Sequence, residues 1–282
     1  MSCTISDYVL ILNPSKCGSS WLAHGMTIRP YMAFPREFDF LFFVGFPLDR
    51  QWNAATAEDE EYLRIRQDEA LTTDEKLCRL YEIEHARRSD AQLLIDKAPS
   101  NIHLFLDYRH LYRNLKTILL FRDPRDVYVS NELYHQRQLE LVDQRDDIGT
   151  ADYLRSSHVF ASSMSNCARA LQVEKQLVED GVDFLRVTYE QMKAGYVDVL
   201  TTAIDYCGIE IDGTTEVSSN YVKHAIPYAE HLERARDFKP LFRKGIVGDW
   251  KNYITTEDAK EVVKEKWGNL LIDLGYESGF DW

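Results

Sequence analysis

The residues of this chain that could do chemistry fall into separated clusters, the first of which is Lys16-Cys17-Gly18-Ser19-Ser20-Trp21. It follows the apolar run Tyr8 to Leu12 and a turn bounded by Pro14 and Gly18. A helix opening at Ser19 and Ser20 offers an anion free backbone N–H groups, the positive end of the helix dipole, two hydroxyls and the Lys16 ammonium. A phosphate is the expected ligand, and an ordinary surface turn is the alternative. The order of residues differs from a Walker loop, whose lysine follows the last glycine and directly precedes Ser or Thr.

A second cluster, Arg122-Asp123-Pro124-Arg125-Asp126 with Ser130, follows the apolar run Thr117 to Phe121. Asp123 as N-cap and Pro124 in the first helical position mark a helix start. Ser130 then lies about two turns along, so Arg122 and Ser130 can face one phosphate. The alternative is that Arg122 pairs with Asp126 across the helix start. In the third cluster, Phe242-Arg243-Lys244-Gly245 to Gly248-Asp249-Trp250-Lys251-Asn252, two adjacent cations precede a glycine that permits close backbone approach. That suits a loop folding over a phosphate, or a basic surface loop.

Proton transfer needs a carboxylate or histidine with a shifted pKa. Glu37 sits in an aromatic run with Phe34, Phe38 and Phe40, where desolvation would raise its pKa and fit it as a general base. Asp39 and Asp96 are its rivals, and solvent-facing charge is the simpler reading. Asp96-Lys97-Ala98-Pro99 follows Leu93 to Ile95, at a strand end where open α/β sheets bind ligands. His24 and His103 fit a helix surface or a satisfied core position better than catalysis.

The elements that must position these groups read as an α/β fold. Apolar runs at about 8–12, 93–95, 117–121 and 182–187 predict buried strands of a parallel sheet of four or five strands, flanked by helices. A long helical stretch from Thr150 to Asp180 stops at Gly181, and a last helix runs from Thr255 to about Gly275. Residues 51–90 are polar and helical, with a capping-box start at Thr72 to Glu75, and about 45–90 is expected to be a lid or acceptor-specificity insertion. The 282 residues are expected to form a single domain.

Composition narrows the partners. With 33 basic and 46 acidic residues the formal net charge is −13, which disfavours nucleic acid, heparin-like polymers and anionic membranes. No apolar run approaches the roughly 18 residues of a membrane span, and the first core strand begins too early for a signal peptide, so a cytoplasmic enzyme is expected. The five cysteines show no paired spacing and are expected to be reduced thiols, with no metal site.

Lys-Cys-Gly-Ser-Ser-Trp resembles the Lys-Ser-Gly-Thr-Thr-Trp loop of sulfotransferases that use 3′-phosphoadenosine-5′-phosphosulfate (PAPS) and release the 3′,5′-bisphosphate PAP. Arg122 to Ser130 resembles their Arg-x-Pro-x-Asp-x-x-x-Ser segment for the 3′-phosphate, and Arg243 to Asn252 is similar to their C-terminal signature almost residue for residue. Thr188-Tyr189-Glu190-Gln191-Met192 is similar to the family's Tyr-Glu-x-Met, whose Tyr seats the adenosine; Tyr189 could equally be a packed surface aromatic. The resemblance implies a P-loop NTPase-like sulfotransferase fold. It implies a cofactor site of Lys16, Cys17, Gly18, Ser19, Ser20, Trp21, Arg122, Ser130, Tyr189, Phe242, Arg243, Lys244 and Gly245. It implies catalytic roles for Lys16, Glu37, Lys97 and Ser130. Cytosolic phenol and steroid enzymes carry Lys-Thr-His where this chain has Pro99 as third residue; Asp/Glu-Lys-x-Pro resembles the tyrosylprotein and heparan branches, whose base is a Glu in the place of Glu37. The implied acceptor is a small neutral or cationic hydroxyl or amine, such as a natural product of the guanidinium alkaloid toxin kind. A P-loop kinase using ATP and a non-catalytic PAP-binding regulator are the competing readings.

Overall fold

The computed structural model describes residues 4–28, 31–34, 40–45, 59–88, 91–138, 146–209 and 245–282. Its centre is β2, Tyr8–Leu12, whose five side chains are all buried. Such burial gains roughly 1.5–3 kcal/mol for each large apolar side chain, and a run apolar on both faces can be satisfied only inside a sheet covered on both sides. The short β1, Ile5–Ser6, precedes it and pairs in parallel with β5, Tyr112–Arg113. The main sheet adds β3 (Met32–Ala33), β4 (Leu93–Asp96), β6 (Lys116–Phe121) and β7 (Leu185–Thr188), in the order β3-β4-β2-β6-β7. All of its pairings are parallel, with Leu10 opposite Asp96 on one side and Thr117 on the other.

This order makes β2 the topological switch point. The chain leaves it toward β4 on one flank and β6 on the other, and the crevice of an open α/β sheet lies beyond the carboxyl ends of strands that part in this way. The residues after Leu12, Ile95, Phe121 and Thr188 share that edge. They include three of the chemistry-bearing clusters.

Helix α1, Ser19–Gly25, follows β2 directly. Helices α2 (Phe40–Gly45), α3 (Glu60–Gln67) and α4 (Thr73–Ala86) come before β4. The expected capping box is present: the Thr72 hydroxyl accepts the Glu75 N–H, and Glu75 accepts the Thr72 N–H. Within the stretch expected to form a lid, α4 is a wall of the core. Its Leu77, Cys78, Leu80 and Tyr81 are buried with Tyr8, Leu94 and Leu111. Residues 46–58 of that stretch lie outside the described residues.

Helix α5 is Asn101–Tyr108 and α6 is Pro124–Gln138, the latter packed on α8. The stretch read as one long helix is two, α7 (Ala151–Ser156) and α8 (His158–Glu179). Ser157 breaks it by taking an extended conformation and accepting the Phe160 N–H, because a serine at a helix start satisfies an otherwise orphaned donor. After β7 come α9 (Tyr189–Ala194), α10 (Tyr196–Cys207) and, last, α11 (Glu257–Asp273), capped by Thr256. No described helix is long and apolar enough to cross a membrane. Cys17, Cys167 and Cys207 are buried free thiols, whereas Cys78 is disulfide-bonded, a correction to the expectation of five reduced thiols. The nearest cysteine in sequence is Cys17, so no local spacing could announce that bond.

Candidate active site

The loop after β2 needs left-handed backbone at two positions, Lys16 (φ 64°) and Gly18 (φ 88°). For lysine this conformation costs about 1–2 kcal/mol, so surrounding contacts must hold it. At Gly18 a side chain is excluded on a second count: a Cβ would lie 2.8 Å from Tyr189 Cδ2 and 3.0 Å from Met192 Cε. No side chain caps the start of α1, which leaves its first N–H groups open toward an anion, with Ser19 buried and Ser20 half-buried beside them. Cys17 departs from the expected role. Its side chain is fully buried among the core residues, and burial pushes the thiol pKa well up, so only its main chain can belong to the anion face.

Arg122, at the end of β6, joins the clusters. Its Nη1 donates to the Lys16 carbonyl at 3.0 Å and its Nη2 to the Ile246 carbonyl at 3.1 Å. Its guanidinium lies 4.2 Å from the centre of the Tyr189 ring. Asp126 is also near, 3.8 Å from Nη2, so the pairing weighed as an alternative exists as a looser contact than the two carbonyl bonds. Arg122 Nε is buried and has no hydrogen-bond partner among the described residues.

Asp126 has a further task. Wholly buried, its carboxylate accepts the Gly248 N–H at 2.7 Å and the Trp250 N–H at 2.9 Å, fastening the C-terminal signature to the start of α6. Burial raises its pKa, against the opposing pull of Arg122 and of the two N–H bonds. Asp123 chelates Arg125, whose guanidinium stacks 3.9 Å from the Trp250 ring, so the same helix start holds the signature twice.

Tyr189 is buried at the centre of the three blocks and is no surface aromatic. Gly18 fits against its ring, Arg122 lies over it, and its hydroxyl is 3.5 Å from where a Cβ on Gly245 would stand. Its neighbour Glu190 accepts the Asp123 N–H and the Tyr276 hydroxyl, both at 3.1 Å. Trp21 is half-buried and held by Tyr196, whose ring stacks on it at 4.1 Å and 10° and whose hydroxyl bonds its carbonyl at 2.8 Å.

Helix α6 carries Asp126, Ser130 and Tyr134 at steps of four residues, which lie on one face. Ser130 is half-buried there, and the Lys16 ammonium lies 3.3 Å over the centre of the Tyr134 ring. Across β2, Lys97 is nearly fully buried. Asp96 is committed to the interior, accepting the Tyr81 hydroxyl at 2.6 Å and the Asn101 amide at 3.2 Å, with Tyr112 donating to Tyr81 at 3.0 Å. Both bonds fall on the same carboxylate oxygen, Oδ2. His24 packs edge-on against Phe34, and His103 is exposed, its pKa lowered by partial desolvation and by the nearby Arg169 cation. Glu37, Asp39, Phe242, Arg243 and Lys244 lie outside the described residues, while Gly245 is described and exposed.

Sequence reasoning missed Tyr134, Tyr196 and the double acceptor role of Asp126. The four-residue spacing from Asp126 to Tyr134 was the available signal. Nothing local pairs Tyr196 with Trp21, because their distance in sequence is 175 residues.

The sulfotransferase domain family model matches residues 6–269. Sulfotransferase 2A1 of Rattus norvegicus is 30% identical over 164 residues, covering 54% of this chain and 56% of that protein. Sulfotransferase 6B1 of Pan troglodytes is 23% identical over 282 residues, covering 96% of this chain and 80% of that protein. Among solved structures, the sulfotransferase domain from the Synechococcus PCC 7002 olefin synthase matches with a TM-score of 0.53 at 19% identity, covering 94% of this chain and 95% of that one. Mouse sulfotransferase SULT7A1, complexed with PAP, matches with a TM-score of 0.52 at 16% identity, covering 93% and 85%. These structures share the fold, a central parallel sheet with flanking helices in the P-loop-like arrangement. With the family's domain matched over nearly its whole length and three family-like blocks meeting at one arginine, this chain belongs to the sulfotransferase family.

Proposed function

We propose that the chain transfers a sulfuryl group from PAPS to a hydroxyl or amine of a small neutral or cationic acceptor, in the cytoplasm. The observation that carries this reading is Arg122. One guanidinium ties the Lys16 loop to the segment at Ile246, and its remaining Nε is buried without a partner among the described residues. A buried cationic N–H lacking an acceptor is costly, and a phosphate oxygen is the acceptor it suits best. The donor set therefore fits a bisphosphorylated nucleotide.

When bound, the donor supplies the sulfuryl group and a phosphate oxygen on which negative charge grows as the S–O bond breaks. Lys16 and the Gly18 to Ser20 backbone would stabilise that charge where it develops. Arg122 and Ser130, with Arg243, Lys244 and Gly245, would hold the 3′-phosphate. Trp21, oriented by Tyr196, and Tyr189 would seat the adenine. Lys97 stands at the end of β4 beside the same edge, as a second cation for the transferring group. Glu37 would take the acceptor proton as the new O–S or N–S bond forms, and PAP leaves.

The excess of acidic over basic residues, net −13, supports a neutral or cationic acceptor over a polyanionic one. The same fold occurs in the sulfotransferase domain from the curacin biosynthetic pathway, at a TM-score of 0.52 and 14% identity, which makes a natural product, a guanidinium alkaloid among them, the first class to try. The deciding experiment is a calorimetric titration with PAP and with AMP, which lacks only the 3′-phosphate, followed by turnover of labelled PAPS across an acceptor panel. PAP should bind at least ~10-fold more tightly, a difference of ~1.4 kcal/mol. Equal binding of the two would overturn the assigned 3′-phosphate site. Tight PAP binding without product from any acceptor would favour a nucleotide-binding regulator.

A further inference from the structure

We propose that Trp282 and Glu277 are positioning residues of the donor site, which clamp the C-terminal signature through Arg125; the inference rests on the sulfuryl-transfer reading. The signature loop has little apolar anchorage of its own, because Gly245, Ile246 and Val247 are exposed. Besides the Arg122 bond to the Ile246 carbonyl, it is fastened at its far end, where buried Asp126 accepts the Gly248 and Trp250 N–H groups and the Trp250 ring lies against Arg125. What holds Arg125 therefore holds this loop.

Arg125 is held from two directions. Its Nε and Nη2 donate to Asp123 on its own helix start at 3.0 and 2.8 Å, and its Nη1 donates to Glu277 at 2.5 Å from 152 residues away. The guanidinium centre is 3.9 Å from the Trp250 ring and 4.7 Å from the Trp282 ring, and those rings stand at 83° with their centres 6.0 Å apart. The cation fills the corner between two indoles, buried away from water, where its attraction to aromatic faces is strongest. The segment after α11 folds back to deliver these groups. Gly275 takes a left-handed turn (φ 83°), and the Tyr276 N–H donates to the Leu271 carbonyl at 2.9 Å, which closes the helix. Gly268 inside α11 has no side chain, and Phe280 occupies the space that a Cβ there would need. The Tyr276 hydroxyl donates to Glu190, whose other oxygen accepts the Asp123 N–H, so the same segment also grips the residue beside Tyr189. The family match ends at residue 269 and assigns these residues no part in the site.

Two readouts test this. In hydrogen exchange of the donor-free protein, Trp282→Ala should speed the Gly248 and Trp250 amides about tenfold or more and leave the β2 amides at their wild-type rates. In calorimetric titration, Trp282→Ala should weaken PAP about fivefold or more and AMP by less than about twofold, because the loop it releases serves the 3′-phosphate that AMP lacks. Trp282→Phe keeps an aromatic wall for Arg125 and should restore most of the PAP affinity. Glu277→Gln keeps the shape and removes the charge from Arg125; it should move both readouts the same way, and it decides the matter if Trp282→Ala does not fold. Gly248 and Trp250 amides that exchange as in wild type, β2 amides that speed up equally, or PAP and AMP weakened alike would each overturn the assignment. A wild type that binds PAP and AMP alike sinks the donor reading, while a wild type that prefers PAP together with any of those three results sinks this inference alone.

Discussion

Replacing Arg122 by methionine keeps much of the side-chain volume and removes the charge that joins three parts of the chain. Two bonds to main-chain carbonyls, at 3.0 and 3.1 Å, disappear. Hydrogen bonds made by a charged donor contribute about 1.5–3 kcal/mol each. Asp126, wholly buried, also loses the only cation that an ion pair gives it among the described residues. Breaking a buried pair from one side costs about 3–5 kcal/mol. Because a single guanidinium serves all these contacts, the effects overlap, and the expected loss of stability at pH 7.5 is about 3–5 kcal/mol in urea unfolding. That is a large share of the roughly 5–15 kcal/mol of a typical domain. The loss should also depend on pH. Burial already raises the folded pKa of Asp126, and Arg122 is the leading influence that lowers it. Without Arg122 the folded pKa rises further above the unfolded value. A carboxyl of this kind contributes stability at low pH that is lost as pH rises through its folded pKa, so the variant should recover part of its deficit between pH 7.5 and pH 5.5. A deficit below about 1 kcal/mol at pH 7.5 would refute the joining role. An equal deficit at both pH values would refute the coupling to Asp126.

Gly18→Ala should lose about 1–2 kcal/mol from the forced left-handed backbone alone, and more because its Cβ would stand 2.8 Å from Tyr189 Cδ2; thermal melting and PAP titration should both register it. Tyr81→Phe removes the 2.6 Å donor of buried Asp96 and should cost about 1–3 kcal/mol in urea unfolding, whereas a neutral result would mean that the remaining partners of Asp96, Asn101 among them, satisfy it. Glu37→Gln should abolish turnover and leave PAP affinity intact; a rate near that of wild type eliminates Glu37 as the base.

Much of this protein can be read locally. The five apolar residues of β2, the Asp123-Pro124 helix start and the Thr72 to Glu75 capping box are each set within a few residues, by side-chain burial, by fixed φ and by reciprocal capping. So is the Lys16 to Trp21 turn, with its glycine and its open helix start. The short β3 escaped notice because two residues carry too little pattern. What the linear chain could not contain is which of these pieces meet. Arg122 finds the Lys16 carbonyl across 106 residues and the Ile246 carbonyl across 124, because the strand order places the ends of β2 and β6 side by side. The same packing turns Cys17 inward, commits Asp96 to Tyr81, and makes Tyr189 the surface against which Gly18 and Arg122 rest. Propensity and capping are short-range and therefore written in neighbouring residues; the contacts that assemble the site are long-range, and only the closed sheet with its helices packed in place decides them.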